Sequence, residues 1–159
     1  MKISVLIPAQ TLELFDDAGK LLRRYQVSTA AKGAGEEMDS NCTPRGRHVI
    51  RAKIGAGQPV NAVFVKRRPT GEIYTPELAQ KHPGRDWILT RILWLSGCEK
   101  GYNRMGSCDT MRRYIYIHGT PDETKMGSPG SHGCVRMRNA ELIELFGMVK
   151  TGTEVEIIA

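Results

Sequence analysis

Apolar residues recur at every second position in short runs along most of the chain, the signature of strands with one buried face. Ile3, Val5 and Ile7 open the pattern. Residues 12–15 follow, then Asp16-Asp17-Ala18-Gly19, then a run over 21–29. Apolar runs broken by an Asp/Gly turn predict a hairpin. Residues 30–46 are polar, carry Gly33, Gly35, Pro44 and Gly46, and read as a loop. Residues 48–54 and 62–65 are two further predicted strands. Thr75 before Pro76 marks a helix start, and Pro83-Gly84 stops it after about two turns. The most apolar stretch, 87–95, is predicted to be a central strand. Residues 97–109 form a glycine-containing loop, and 112–118 alternate again into a strand. One longer helix is predicted near the C-terminus. Asn139 is its expected cap, Leu142, Ile143, Phe146 and Val149 its apolar face, and Gly152 its end. Residues 153–157 close as a strand. The expected class is mainly β, bordering on α+β, with short helices and one C-terminal-region helix.

At 159 residues the chain is long enough for one hydrophobic core, and residues 1–159 are expected to form a single domain. A hydrophobic share of 40% and a charged share of 25% exclude a disordered, collagenous or long coiled-coil chain. The net charge of +6 predicts an anionic partner. Between residues 40 and 71 lie Arg45, Arg47, Arg51, Lys53, Lys66, Arg67 and Arg68, with no Asp or Glu. Cys42, Cys98, Cys108 and Cys134 form no C-x-x-C pair and are read as free thiols. A Cys98–Cys108 bond is the alternative in an oxidising compartment. The apolar start is too short for a signal peptide core, so Met1 reads as a natural start, and no run is long enough to span a membrane.

Chemistry concentrates in Tyr116-Ile117-His118-Gly119-Thr120 and in Ser131-His132-Gly133-Cys134-Val135-Arg136, with a dozen residues between His118 and Ser131. A thiol is only slightly ionised at neutral pH, and a nearby imidazole can take its proton and return it to a leaving amine. His118 and His132 both qualify as that base. Gly133 can adopt a positive φ and turn backbone N–H groups toward a carbonyl oxygen. Arg136 has the forked geometry for a carboxylate. Alternation places Tyr114, Tyr116 and His118 on one face and Ile115 and Ile117 on the other. The competing readings are a structural thiol, core histidines, or zinc held by His118, His132 and Cys134, which lacks an obvious fourth ligand. No metal and no cofactor is expected.

The string resembles the signature of the L,D-transpeptidase catalytic domain, or YkuD family: a His, a loop of a dozen or more residues, then Ser/Thr-His-Gly-Cys. Tyr25, Val27-Ser28-Thr29, Thr43-Pro44, Gly46 and Thr151-Gly152-Thr153 extend the likeness over nearly the whole chain. The resemblance implies a β-sandwich-like domain with its site under a loop lid, here 97–109. It implies Cys134 as nucleophile and His118 as base, oriented by the Gly119 carbonyl. The Gly133 and Cys134 N–H groups would bind the oxyanion, supported by His132. Arg136, Ser131 and Tyr116 are the candidate substrate contacts. The implied partners are peptidoglycan stem peptides or muropeptides, with no nucleic acid, and the protein is expected to be a monomer.

The implied reaction expels D-Ala from a tetrapeptide stem and passes the acyl group to an amine, giving a 3→3 crosslink, exchange or protein attachment. Water as acceptor makes the alternative, an L,D-carboxypeptidase. A non-catalytic basic polymer-binding domain is the reading from a different class. Carbapenems are expected to acylate Cys134. The family implies the cell envelope, whereas the missing signal peptide suggests a cytoplasmic protein or unconventional export.

Overall fold

A computed structural model describes residues 1–159. The strands are β1 (Lys2–Leu6), β2 (Thr11–Phe15), β3 (Leu21–Ser28), β4 (Gly46–Ile54), β5 (Ala62–Val65), β6 (Arg68–Ile73), β7 (Ile88–Gly97), β8 (Tyr116–Gly119), β9 (Val135–Met137) and β10 (Glu154–Ile158). The helices are α1 (Pro76–Lys81) and α2 (Asn139–Met148). The mainly-β expectation is borne out.

All ten strands hydrogen-bond into one sheet, in the order β4-β10-β1-β2-β3-β9-β8-β7-β5-β6. A further β4–β7 pairing closes the first eight strands into a ring. β7 makes this possible by its length. Its Ile92–Gly97 part pairs with β4, while Ile88 and Leu89 pair with β5. The sandwich expected from the resemblance is therefore a sheet that wraps onto itself around one core.

That core collects the alternating apolar positions. Ile3, Val5, Leu12, Leu14, Val27, Leu93, Leu95, Ile117, Val135, Met137 and Val155 are fully buried in it. Burying each such side chain contributes roughly 1.5–3 kcal/mol before entropy is counted. Helix α2 adds Leu142, Leu145, Phe146 and Val149 to the same cluster. Leu145 takes the place expected for Ile143, which is partly exposed.

Several local expectations are corrected. Asn139 is the first helical residue and Arg138 is the cap, without a side-chain bond. Helix α2 ends at Met148, and Gly152 serves the next turn at φ +88°. Residues 112–115 are not strand. The Asp109 carboxylate accepts from the N–H groups of Met105 and Arg112 and bends the chain there, so β8 starts only at Tyr116. Strand β6 went unforeseen. The helix start at Thr75 holds: its hydroxyl accepts from the Leu78 N–H at 3.1 Å.

Candidate active site

The parallel β8–β9 pair sets the site. Ile117 lies opposite Val135 and His118 opposite Arg136. Side chains alternate across a strand. Ile115, Ile117, Val135 and Met137 therefore enter the core. Tyr116, His118, Cys134 and Arg136 face the other way and line a cavity of about 610 Å³. The sequence-derived division into two faces is what the structure has, although Tyr114 sits in a turn at φ +56°.

The Cys134 Sγ accepts from the Tyr116 N–H at 3.3 Å and donates to the Tyr114 carbonyl at 3.4 Å. Burial pushes the thiol up to about 12. His118 is buried, and burial depresses its basicity, so the imidazole is neutral. Its Nδ1 lies 2.6 Å from the Gly119 carbonyl oxygen. A carbonyl can only accept, so Nδ1 carries the proton and Nε2 keeps its lone pair. His118 and Cys134 thus line one cavity as a neutral imidazole and a protonated thiol.

A buried polar network packs against Gly119 and Thr120, just after His118. The Asn139 amide donates to the Thr120 carbonyl at 3.0 Å and to Asn61 Oδ1 at 3.1 Å. It accepts from the Thr90 hydroxyl at 2.7 Å. Thr90 is held at φ +75°, a genuine outlier for a β-branched residue. Gly119 is the residue this network requires: a Cβ there would lie 2.2 Å from Asn139 Oδ1 and 2.5 Å from the Leu89 carbonyl oxygen.

The Ser131–Cys134 turn is held from both sides. The buried Ser131 hydroxyl donates to the Cys134 carbonyl at 2.5 Å and accepts from the Gly133 N–H at 3.2 Å. The Thr43 hydroxyl donates to the Gly133 carbonyl at 2.9 Å. Gly133 sits at φ +132° with the Cys42 carbonyl and Ile115 Cδ1 each 3.2 Å from a would-be Cβ. The Gly133 N–H is thus engaged by Ser131, whereas the Cys134 N–H makes no such bond.

His132 points outward, its side chain 67% exposed, with Nδ1 3.8 Å from Asp86. Arg136 donates to the Gly130 carbonyl at 3.0 Å and to Asp86 Oδ1 at 3.1 Å. Arg136, expected as a substrate contact, makes the contacts of a brace for the loop. The Tyr116 hydroxyl accepts from Arg67 at 3.1 Å.

Sequence reasoning missed Asp86, Arg113 and Arg67 as cavity residues. Arg113 donates to the carbonyls of Gly35 and Cys42 and to the Ser40 hydroxyl, and so anchors the loop behind Gly133. Only Arg67 left a trace in the sequence, as part of the basic stretch. The lid expectation is also corrected. No residue of 97–109 lines the cavity, whose rim includes Lys66, Arg67 and Tyr114. Residues 97–109 instead fold onto the preceding loop, where the buried Asn103 amide donates to the carbonyls of Arg45 and Arg47. All four cysteines are free, so Cys98 and Cys108 do not clip that segment.

Comparison with known proteins identifies the family. The L,D-transpeptidase catalytic domain profile (YkuD) matches residues 2–157. The protein named L,D-transpeptidase YkuD in Bacillus subtilis is 35% identical over 94 residues, covering 59% of this chain and 47% of that protein. The L,D-transpeptidase YbiS of Escherichia coli is 33% identical over 125 residues, covering 72% of this chain and 40% of that protein. A structure of the L,D-transpeptidase LdtMt1 in complex with imipenem superposes with a TM-score of 0.58 at 18% identity, covering 98% of this chain and 57% of that one. The chain thus spans about half the length of the relatives it matches. It belongs to the YkuD family of L,D-transpeptidase catalytic domains.

Proposed function

We propose that the chain is a cysteine-dependent L,D-transpeptidase acting on peptidoglycan stem peptides. The observation that carries this reading is the neutral His118, oriented by Gly119, sharing one cavity face with Cys134.

In the first step Cys134 Sγ attacks the carbonyl before the terminal D-Ala, and its proton passes to His118 Nε2. Because thiol and imidazole start neutral, proton transfer accompanies attack rather than preceding it. The developing oxyanion takes the Cys134 N–H, with the Gly133 N–H joining once it exchanges its bond to Ser131. His118 then returns the proton to the departing D-Ala nitrogen, leaving a thioester. In the second step an amine attacks the thioester, its proton goes to His118, and Cys134 leaves as the thiolate and is reprotonated. A side-chain amine of a second stem gives a 3→3 crosslink; water gives the carboxypeptidase outcome. Ser131 and Arg136 hold the turn, and Tyr116 lines the pocket.

The polymer-binding alternative is weakened because three of the seven cations in the basic stretch are already engaged. Arg45 is paired with Glu36, Lys53 donates to the Val149 carbonyl, and Arg67 is at the cavity. No helix is long and apolar enough to cross a membrane. Family membership favours action in the cell envelope.

Intact-mass measurement after incubation with a carbapenem tests the acyl-enzyme. One adduct on wild type, absent from Cys134→Ala, is expected; an undiminished adduct on the variant overturns the assignment. Products from a defined tetrapeptide muropeptide then separate hydrolysis from joining.

A further inference from the structure

We propose that Arg67 is a specificity-determining residue that receives a carboxylate of the peptide substrate at the mouth of the Cys134 cavity. The proposal rests on the peptidyl-transfer reading above.

The cavity wall carries four cations, Lys66, Arg67, Arg113 and Arg136, against the single carboxylate of Asp86. Such a wall selects an anion. Its cations are not equally available. Arg136 is joined to Asp86 and Gly130. Arg113 directs its fork into the backbone of Gly35 and Cys42. Arg67 has no carboxylate partner and donates one bond, to the Tyr116 hydroxyl. Most of its donors therefore remain for a ligand.

Arg67 is also held in place. Its guanidinium lies 4.5 Å from the Tyr114 ring centre and 4.9 Å from that of Trp94. Stacking of this kind fixes the plane and leaves the N–H edge open. The backbone is constrained as well. Lys66 and Arg67 are the two central residues of the β5–β6 turn, at φ +50° and +65°. Such turns normally take Asn-Gly or Asp-Gly. A Lys-Arg pair here maintains a strained conformation, and strain of this kind clusters at ligand clamps.

Tyr116 connects this clamp to the chemistry. Its N–H holds Cys134 Sγ and its hydroxyl holds Arg67, so nucleophile and guanidinium stand one tyrosine apart. A carboxylate near the scissile bond falls within that span. Two sources share this chemistry: the terminal carboxylate of the leaving D-residue and the side-chain carboxylate of the diamino acid.

The test is steady-state kinetics with wild type, Arg67→Gln and Arg67→Lys on a tetrapeptide stem, its C-terminal carboxamide and its side-chain carboxamide. Wild type is expected to favour the free acid over one carboxamide by roughly ten- to hundredfold in kcat/KM, the size of one charged hydrogen bond. Arg67→Gln is expected to erase that preference, mainly through KM, and Arg67→Lys to restore part of it. The carboxamide whose turnover is indifferent to Arg67→Gln identifies the carboxylate. Arg67→Met, which keeps the apolar stem against Trp94, replaces Arg67→Gln if the latter fails to fold. An equal loss on all three substrates, as from mere packing, overturns the proposal, as does no change on any. Wild type that neither turns over a stem peptide nor accepts a carbapenem on Cys134 overturns the peptidyl-transfer reading, and this assignment with it.

Discussion

The His118 Nδ1 and the carbonyl oxygen of Gly119, the next residue, are 2.6 Å apart. A histidine that donates to its own neighbour's carbonyl has its tautomer fixed without a carboxylate. The bond orients the ring and by itself favours the protonated form, but burial outweighs it and holds the ring below its ordinary basicity.

The pH dependence of acylation follows. His118 is depressed below its ordinary 6.5, so the active neutral form should persist below that pH. The acid limb of kcat/KM is expected at a midpoint under 6.5. Thiolate ultraviolet absorbance, taken as wild type minus Cys134→Ala, should show no step between pH 6.5 and 9, because the thiol is pushed up to about 12. A thiolate signal at neutral pH would mean a resting ion pair instead.

Asn139→Ala should cost about 2–6 kcal/mol by urea denaturation, since it leaves buried groups on Thr120 and Thr90 unpaired at roughly 1–3 kcal/mol each. Carbapenem acylation should slow with it, because the peptide after His118 loses its backing. Ile143→Ala, on the partly exposed side of the same helix, is the comparison and should change little.

Acid should destabilise the fold partly through His48. This residue is fully buried, bonded to the Gly46 carbonyl and the Thr110 hydroxyl, and lowered to about 4 by burial. The unfolded chain binds the proton more readily, so stability is complete above about pH 6.5 and falls as the pH drops toward 4. The shift corresponds to about 3 kcal/mol at most. Denaturation of wild type and His48→Gln at both ends of that window should show a smaller difference for the variant.

Reductant should leave the melting temperature unchanged, and a thiol titration of unfolded protein should find all four cysteines, because none is paired. Two missing thiols under non-reducing conditions would contradict this.

What the residues revealed depended on how the information was stored. Alternation exposed the strands whose faces divide core from solvent, such as β1 and β2. It could not expose β6, where Arg68-Pro69-Thr70-Gly71 is exposed throughout and pairing rests on backbone bonds that any sequence can make. Asn139 carried a helix-start signal, yet its amide is used by Thr90 and Thr120 from distant strands. The face carrying Cys134 was legible because the motif is local. Asp86 and Arg113 were not, since each arrives from a loop whose sequence contains nothing unusual.

The place of β10 between β1 and β4 has a consequence for how the protein is made. On a ribosome, the strands bearing His118 and Cys134 emerge well before residues 154–158. Until those residues are released, β1 and β4 each have an unpaired edge, and the nucleophile stands on an open, adhesive sheet. The last of these ten strands in chain order is thus the seam, and any delay in its docking prolongs the interval in which a chain can pair with its neighbour instead of with itself.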